Sequence, residues 1–108
     1  MSARLPTGLL IGALLRRVND SGGFAAVLAK GDAQAGSVLL LLADQDGPER
    51  LVERGIGADG RVALIESTPA EDLTGYWRRR RDRDPDLWVI ELNVPDAERF
   101  AAETMLVD

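Results

Sequence analysis

The chain has 108 residues, 45% of them hydrophobic and 29% charged, with a net charge of −5. That composition fits one globular domain spanning residues 1–108 and excludes wholesale disorder. It contains no cysteine and no histidine, which excludes disulfides, iron–sulfur clusters, thiolate zinc sites, serine–histidine triads and any imidazole base.

The first element is expected to be a helix from Thr7 to Asp20. Thr7 is its proposed N-cap, and Gly22–Gly23 provide the stop. Leu10, Ile11, Leu14, Leu15 and Val18 recur at three- and four-residue spacing, which marks a packed helical face. Gly8 and Gly12 lie one turn apart and would admit the close approach of another backbone. The apolar run from Gly8 to Leu15 is too short for a bilayer span, which needs about 20 residues. Arg16–Arg17 stand where a secretory cleavage site would be. A cytoplasmic location with no membrane association is the expectation.

Four strands are expected next: Phe24–Lys30, Ser37–Ala43, Leu51–Ile56 and Arg61–Glu66. Turn chemistry separates them, in the loop from Gly31 to Gly36, at Asp46-Gly47-Pro48 and at Asp59-Gly60. Short links imply an antiparallel meander, because parallel neighbours need a longer crossover. A two-residue turn at Asp59-Gly60 would set Glu53 against Glu66, and facing like charges repel. A four-residue turn from Gly57 to Gly60, pairing Glu53 with Leu64 and Arg54 with Ala63, is preferred.

A second helix is expected from Pro69 to Asp84, capped by Thr68 and stopped by Pro85. A fifth strand follows over Leu87–Asn93, and a short helix from Asp96 to about Glu103, with Asp96 as cap, ends the chain. The order is α-β-β-β-β-α-β-α. The fold class is α+β, a five-stranded, mainly antiparallel sheet with two main helices and a short C-terminal one. Both alternating residue sets are apolar in Val38–Leu42 and in Leu87–Ile90. Both faces of those strands must therefore be covered, by helices on each side or by a second subunit.

The most conspicuous local feature is Tyr76-Trp77-Arg78-Arg79-Arg80-Arg81-Asp82-Arg83-Asp84-Pro85-Asp86-Leu87-Trp88. Arginines beside aromatics suit anion or single-stranded nucleic-acid binding. Four consecutive arginines, however, form a collar around a helix rather than a stripe, and three aspartates dilute their charge. Leu73, Trp77, Arg80 and Asp84 share one helical face. That placement predicts a half-buried Arg80 with its stem on Trp77 and a carboxylate partner in Asp84, Asp86 or Glu91. Trp77, Arg80, Arg81, Asp84, Asp86 and Trp88 are the candidate ligand-binding residues. The Gly31–Gly36 loop lacks the lysine and the following helix of a phosphate loop. Asp32, Glu53, Glu66 and Glu91 are the acids that a metal-assisted carboxylate hydrolase would use, but no spacing selects a pair among them.

Three stretches carry a resemblance: Ala13–Val18, Ala29-Lys30-Gly31-Asp32-Ala33 through Gly36, and Asp84-Pro85-Asp86-Leu87-Trp88-Val89-Ile90-Glu91. Together, from about Leu5 to Phe100, the chain resembles the small bacterial proteins grouped as domain of unknown function 1491. The resemblance implies one compact bacterial cytoplasmic domain and brings no activity, cofactor or catalytic residue with it.

The leading expectation is a non-catalytic binding or protein-interaction module without a cofactor or metal. Its partner would be a second copy, giving a homodimer, or another protein. Binding of a small anionic ligand through Arg78–Arg83 is the alternative, with nucleic acid ranked below it, and the hydrolase is a second alternative.

Overall fold

A computed structural model of the chain describes residues 5–43 and 47–106. The elements are α1 (Thr7–Asp20), β1 (Phe24–Ala29), β2 (Val38–Ala43), β3 (Arg50–Ile56), β4 (Val62–Glu66), α2 (Leu73–Arg83), β5 (Trp88–Asn93) and α3 (Ala97–Met105). The order and the α+β class are those expected from the sequence. Asp46, in the proposed β2–β3 turn, lies outside the described residues.

The sheet order is β1-β5-β2-β3-β4, so the meander is corrected. β2, β3 and β4 form antiparallel hairpins as expected, but β5 inserts between β1 and β2. It runs antiparallel to β1 and parallel to β2, with Val38 beside Trp88 and Leu42 beside Leu92. The sheet is mixed, with one parallel pairing among four.

The loop between β1 and β2 makes room for that insertion. Asp32 donates its backbone N–H to the Asp86 carbonyl (3.0 Å), and Trp88 donates its own to Ser37 (2.8 Å). A Cβ on Gly31 would stand 2.1 Å from the Asp86 carbonyl oxygen, and one on Gly36 would stand 2.2 Å from it. Any side chain at either end of the loop would therefore collide with the backbone of the incoming strand. The two glycines let the loop step over β5 rather than close a hairpin.

Both sheet faces are covered by helices of the same chain. On one face α1 and α3 pack Leu10, Ile11, Leu14, Val18, Ala101 and Met105 against Val38, Leu40, Leu42, Val52, Trp88, Ile90 and Leu92. On the other, Leu73, Tyr76 and Trp77 of α2 lie over Leu39, Leu41, Leu51, Leu87 and Val89. The doubly apolar β2 and β5 thus need no second subunit to cover them.

Several local details differ from expectation. Thr7 is the first helical residue rather than the cap, and its buried hydroxyl donates to the Gly36 carbonyl (2.8 Å). The carbonyls of Gln34 and Ala33 accept from the Thr7 and Gly8 backbone N–H groups (3.2 and 2.8 Å), so the loop caps α1. Gly8 lies against Ala33, whereas nothing approaches Gly12 within 4 Å. The β3–β4 turn spans Gly57 to Arg61, one residue longer than expected, with Gly57 N–H bonded to Arg61 O at 2.8 Å. Glu53 consequently faces Ile65, Arg54 faces Leu64, and Val52 faces Glu66.

α2 begins at Leu73, not Pro69, because Thr68 spends its hydroxyl on the Leu51 backbone N–H (3.0 Å) and on Glu66. Asp72 caps it instead, accepting from Gly75 N–H at 3.0 Å. Asp96 precedes α3 as expected, with a left-handed backbone (φ 60°) but no side-chain capping bond.

Candidate functional site

Six residues were singled out by the sequence, and the structure does not gather them into one cavity. Trp77 packs into the apolar layer beneath α2, while Trp88 is buried in the layer beneath α1 and α3. The two indoles lie on opposite faces of the sheet and cannot form a joint stacking platform. Trp88 donates its Nε1–H to the Asp32 carbonyl (2.8 Å) and so locks the glycine-flanked loop to β5.

Arg80 and Arg81 act as anchors for α2, which has no fully buried residue of its own. Arg80 is half-buried, as expected, but its carboxylate is Glu53 of β3 rather than Asp84, Asp86 or Glu91. Nη1 lies 2.5 Å from Glu53 Oε2 and Nη2 lies 3.0 Å from Oε1, a two-pronged contact. The Arg80 guanidinium lies over Tyr76 at 5.9 Å, and it is Arg78 that covers Trp77 at 5.6 Å. Arg81 reaches the other way and donates to the Lys30 carbonyl at the end of β1 (2.9 Å). The pair therefore ties α2 to β3 on one side and β1 on the other.

Partial burial pushes the Glu53 carboxyl up, but hydrogen bonds from Arg80 and Ser67 and the arginine charge outweigh it and hold the group below its usual range. Glu66 is also held low, through hydrogen bonds from Arg50 and Thr68. Arg50 bridges Glu66 (2.7 Å) and Glu98 of α3 (2.9 Å). Two of the four acids considered for hydrolysis are therefore committed to arginines. Asp32 accepts from Ala35 N–H at 2.9 Å within its own loop. Among the described residues no three acidic side chains stand close enough to hold a metal ion.

Asp84 and Asp86 are exposed and shape the α2–β5 turn. Asp84 Oδ1 accepts from Asp86 N–H (3.2 Å), its carbonyl accepts from Leu87 N–H (3.0 Å), and the Asp86 carbonyl receives Asp32 N–H. A cleft of about 110 Å³ opens beside Thr7, Ser37, Glu53 and Arg54. It falls well below the roughly 300–1,000 Å³ of ordinary small-molecule sites.

The sheet also leaves an edge open. Among the described residues β1 pairs only with β5, and its six residues, Phe-Ala-Ala-Val-Leu-Ala, carry no charge. Phe24 is 57% exposed, Val27 44% and Leu28 37%. Leu28 stands in a bulge between the Val27–Ile90 and Ala29–Val89 pairs. β4, the opposite edge, has no large apolar side chain so exposed and ends in the ion-paired Glu66. Sequence reasoning missed β1 as a surface, because only the insertion of β5 makes it an edge. The signal was a strand of six uncharged residues, half of them alanine.

Among the described residues no helix is long and apolar enough to cross a membrane. The family described as protein of unknown function DUF1491 matches residues 5–102. A crystal structure of a DUF1491 family protein from Caulobacter crescentus is 38% identical, covering 90% of this chain and 94% of that one, with a TM-score of 0.75. An NMR structure of a DUF1491 family protein from the same organism is 37% identical over 92% and 94% of the two chains, with a TM-score of 0.74. The solution structure of protein Atu0922 from A. tumefaciens is 29% identical over 98% and 97%, with a TM-score of 0.71. No curated protein matches the chain. With nearly the whole length matched, the chain belongs to the DUF1491 family.

Proposed function

We propose that this chain is a small, non-catalytic protein-interaction module of the cytoplasm whose contact surface is the open edge of β1. The observation that carries the proposal is the exposure of Phe24, Val27 and Leu28 on an uncharged edge strand. Exposed apolar strand edges pair with other chains unless charge, proline or cover prevents it. β1 has neither a charged residue nor a proline, and both helical layers lie over the faces rather than the edge.

The anion-binding alternative has less support, since Arg80 and Arg81 are spent inside the fold and the tryptophans are on opposite faces. The hydrolase has less still, because Glu53 and Glu66 are held by arginines.

Affinity capture from an extract of the producing cells, with the wild-type chain and a Val27→Asp, Leu28→Asp double variant as baits, tests the reading. The wild type is expected to retain a stoichiometric protein, a copy of itself or another, that the variant loses while keeping its circular dichroism spectrum. Equal retention by both baits, or none by either, contradicts it.

A further inference from the structure

We infer that β1 joins β1 of a second copy of this chain, antiparallel, with the two-fold axis passing through Ala26. The inference rests on the reading of β1 as the contact strand and names its occupant.

Opposed residues in an antiparallel pair point to the same face of the sheet. In β1, Ala25 and Val27 pair with Leu92 and Ile90 and point toward α1, whereas Phe24 and Ala26 pair with Asn93 and Glu91 and point toward α2. A two-fold axis that continues the sheet must therefore pass through a residue, not between two. Centred on Ala26, the pairing sets Val27 opposite Ala25 of the other copy and brings Leu28 alongside its Phe24. All three exposed side chains then gain an apolar neighbour, and the smallest side chain sits at the axis. Centred on Ala25, the pairing would set Val27 and Leu28 against Gly23 and Gly22. Centred on Val27, it would oppose Ala25 to Ala29, which the bulge has turned to the opposite face.

Charge favours the same arrangement. Lys30, the only lysine, follows the end of β1, and the Arg81 guanidinium rests on its carbonyl. Asp20 ends α1 just before the start of the strand. An antiparallel pair brings the basic end of each strand to the acidic end of its mate, while a parallel pair would oppose like charges. For a chain carrying −5, β1 itself brings no acid to the contact. The contact is isologous and uses the same edge of both copies, so it closes at two. Two short strands bury little area, so the dimer is weak and forms at high concentration.

Sedimentation equilibrium from low to high micromolar concentration should show a monomer–dimer equilibrium, with the Val27→Asp, Leu28→Asp variant weakened by about tenfold or more, equivalent to at least ~1.4 kcal/mol. Because the chain lacks cysteine, Ala26→Cys provides a register test. Its Cβ atoms would meet at about 4.5–5.5 Å across the axis, and mild oxidation should link two chains faster than in an Asp59→Cys control in the β3–β4 turn. A wild type that stays monomeric throughout, or a dimer untouched by the double variant, overturns the inference. So does equal cross-linking of both cysteine variants. A monomeric chain that still captures a different protein through Val27 and Leu28 overturns this inference while leaving the contact-strand reading intact.

Discussion

Arg80 and Glu53 are 27 positions apart and meet through two parallel bonds that clamp α2 onto β3. Their side chains are 28% and 25% exposed, so the contact is shielded from much of the solvent. Because α2 buries no residue fully, this clamp carries more of its attachment than an ion pair on a packed helix would. Arg80→Met is expected to lower stability by about 1–3 kcal/mol, the usual worth of charged hydrogen bonds with an acid left unpaired. Arg78→Met, on the exposed side of the same helix, is expected to change it by less than about 0.5 kcal/mol. Urea unfolding followed by circular dichroism checks both.

The same clamp gives a pH dependence. Glu53 titrates below its usual range in the folded chain. Its contribution is therefore complete above the ordinary carboxylate range and is lost as pH falls through the lowered folded value. Stability should decline on acidification from the ordinary carboxylate range downward, and Glu53→Gln should flatten that part of the curve. Thermal unfolding of wild type and variant across acid pH measures it.

Some of the glycines are required by the backbone and others, Gly12 among them, are not. Gly31→Ala or Gly36→Ala would drive a methyl group into the Asp86 carbonyl, and each is expected to cost at least about 2 kcal/mol, within or above the range for forced overpacking. Gly12→Ala meets nothing within 4 Å in the middle of α1, so it should stabilise the chain by up to about 1 kcal/mol through helix propensity. Melting temperatures of the three variants test the division.

Arginines engaged inside the fold make poor phosphate ligands. Tryptophan fluorescence titrated with oligonucleotides at low salt is expected to show no saturable change. A saturable, salt-sensitive change would favour the anion-binding alternative.

The elements themselves were legible because hydrophobic period and turn residues are local signals. α1 matches the expected bounds, and β1, β2, β3, β4 and β5 begin or end within one residue of them. Sheet order was not legible, because the Gly31–Gly36 loop has the length of a hairpin link. Its two glycines gain their meaning only once the Asp86 carbonyl passes between them. Repulsion between Glu53 and Glu66 ruled out the shortest β3–β4 turn, but it could not separate a four-residue turn from the observed one. The half-burial of Arg80 followed from the apolar face of α2. Its partner lay on a distant strand whose position depended on the register of β3.

The most direct test of β1 as the contact surface is amide hydrogen exchange, followed from dilute to concentrated solution and again with any captured protein added. Protection should rise in residues 24–29 and stay constant in β4, residues 62–66. Exchange in residues 24–29 that never changes while association is occurring would contradict the account.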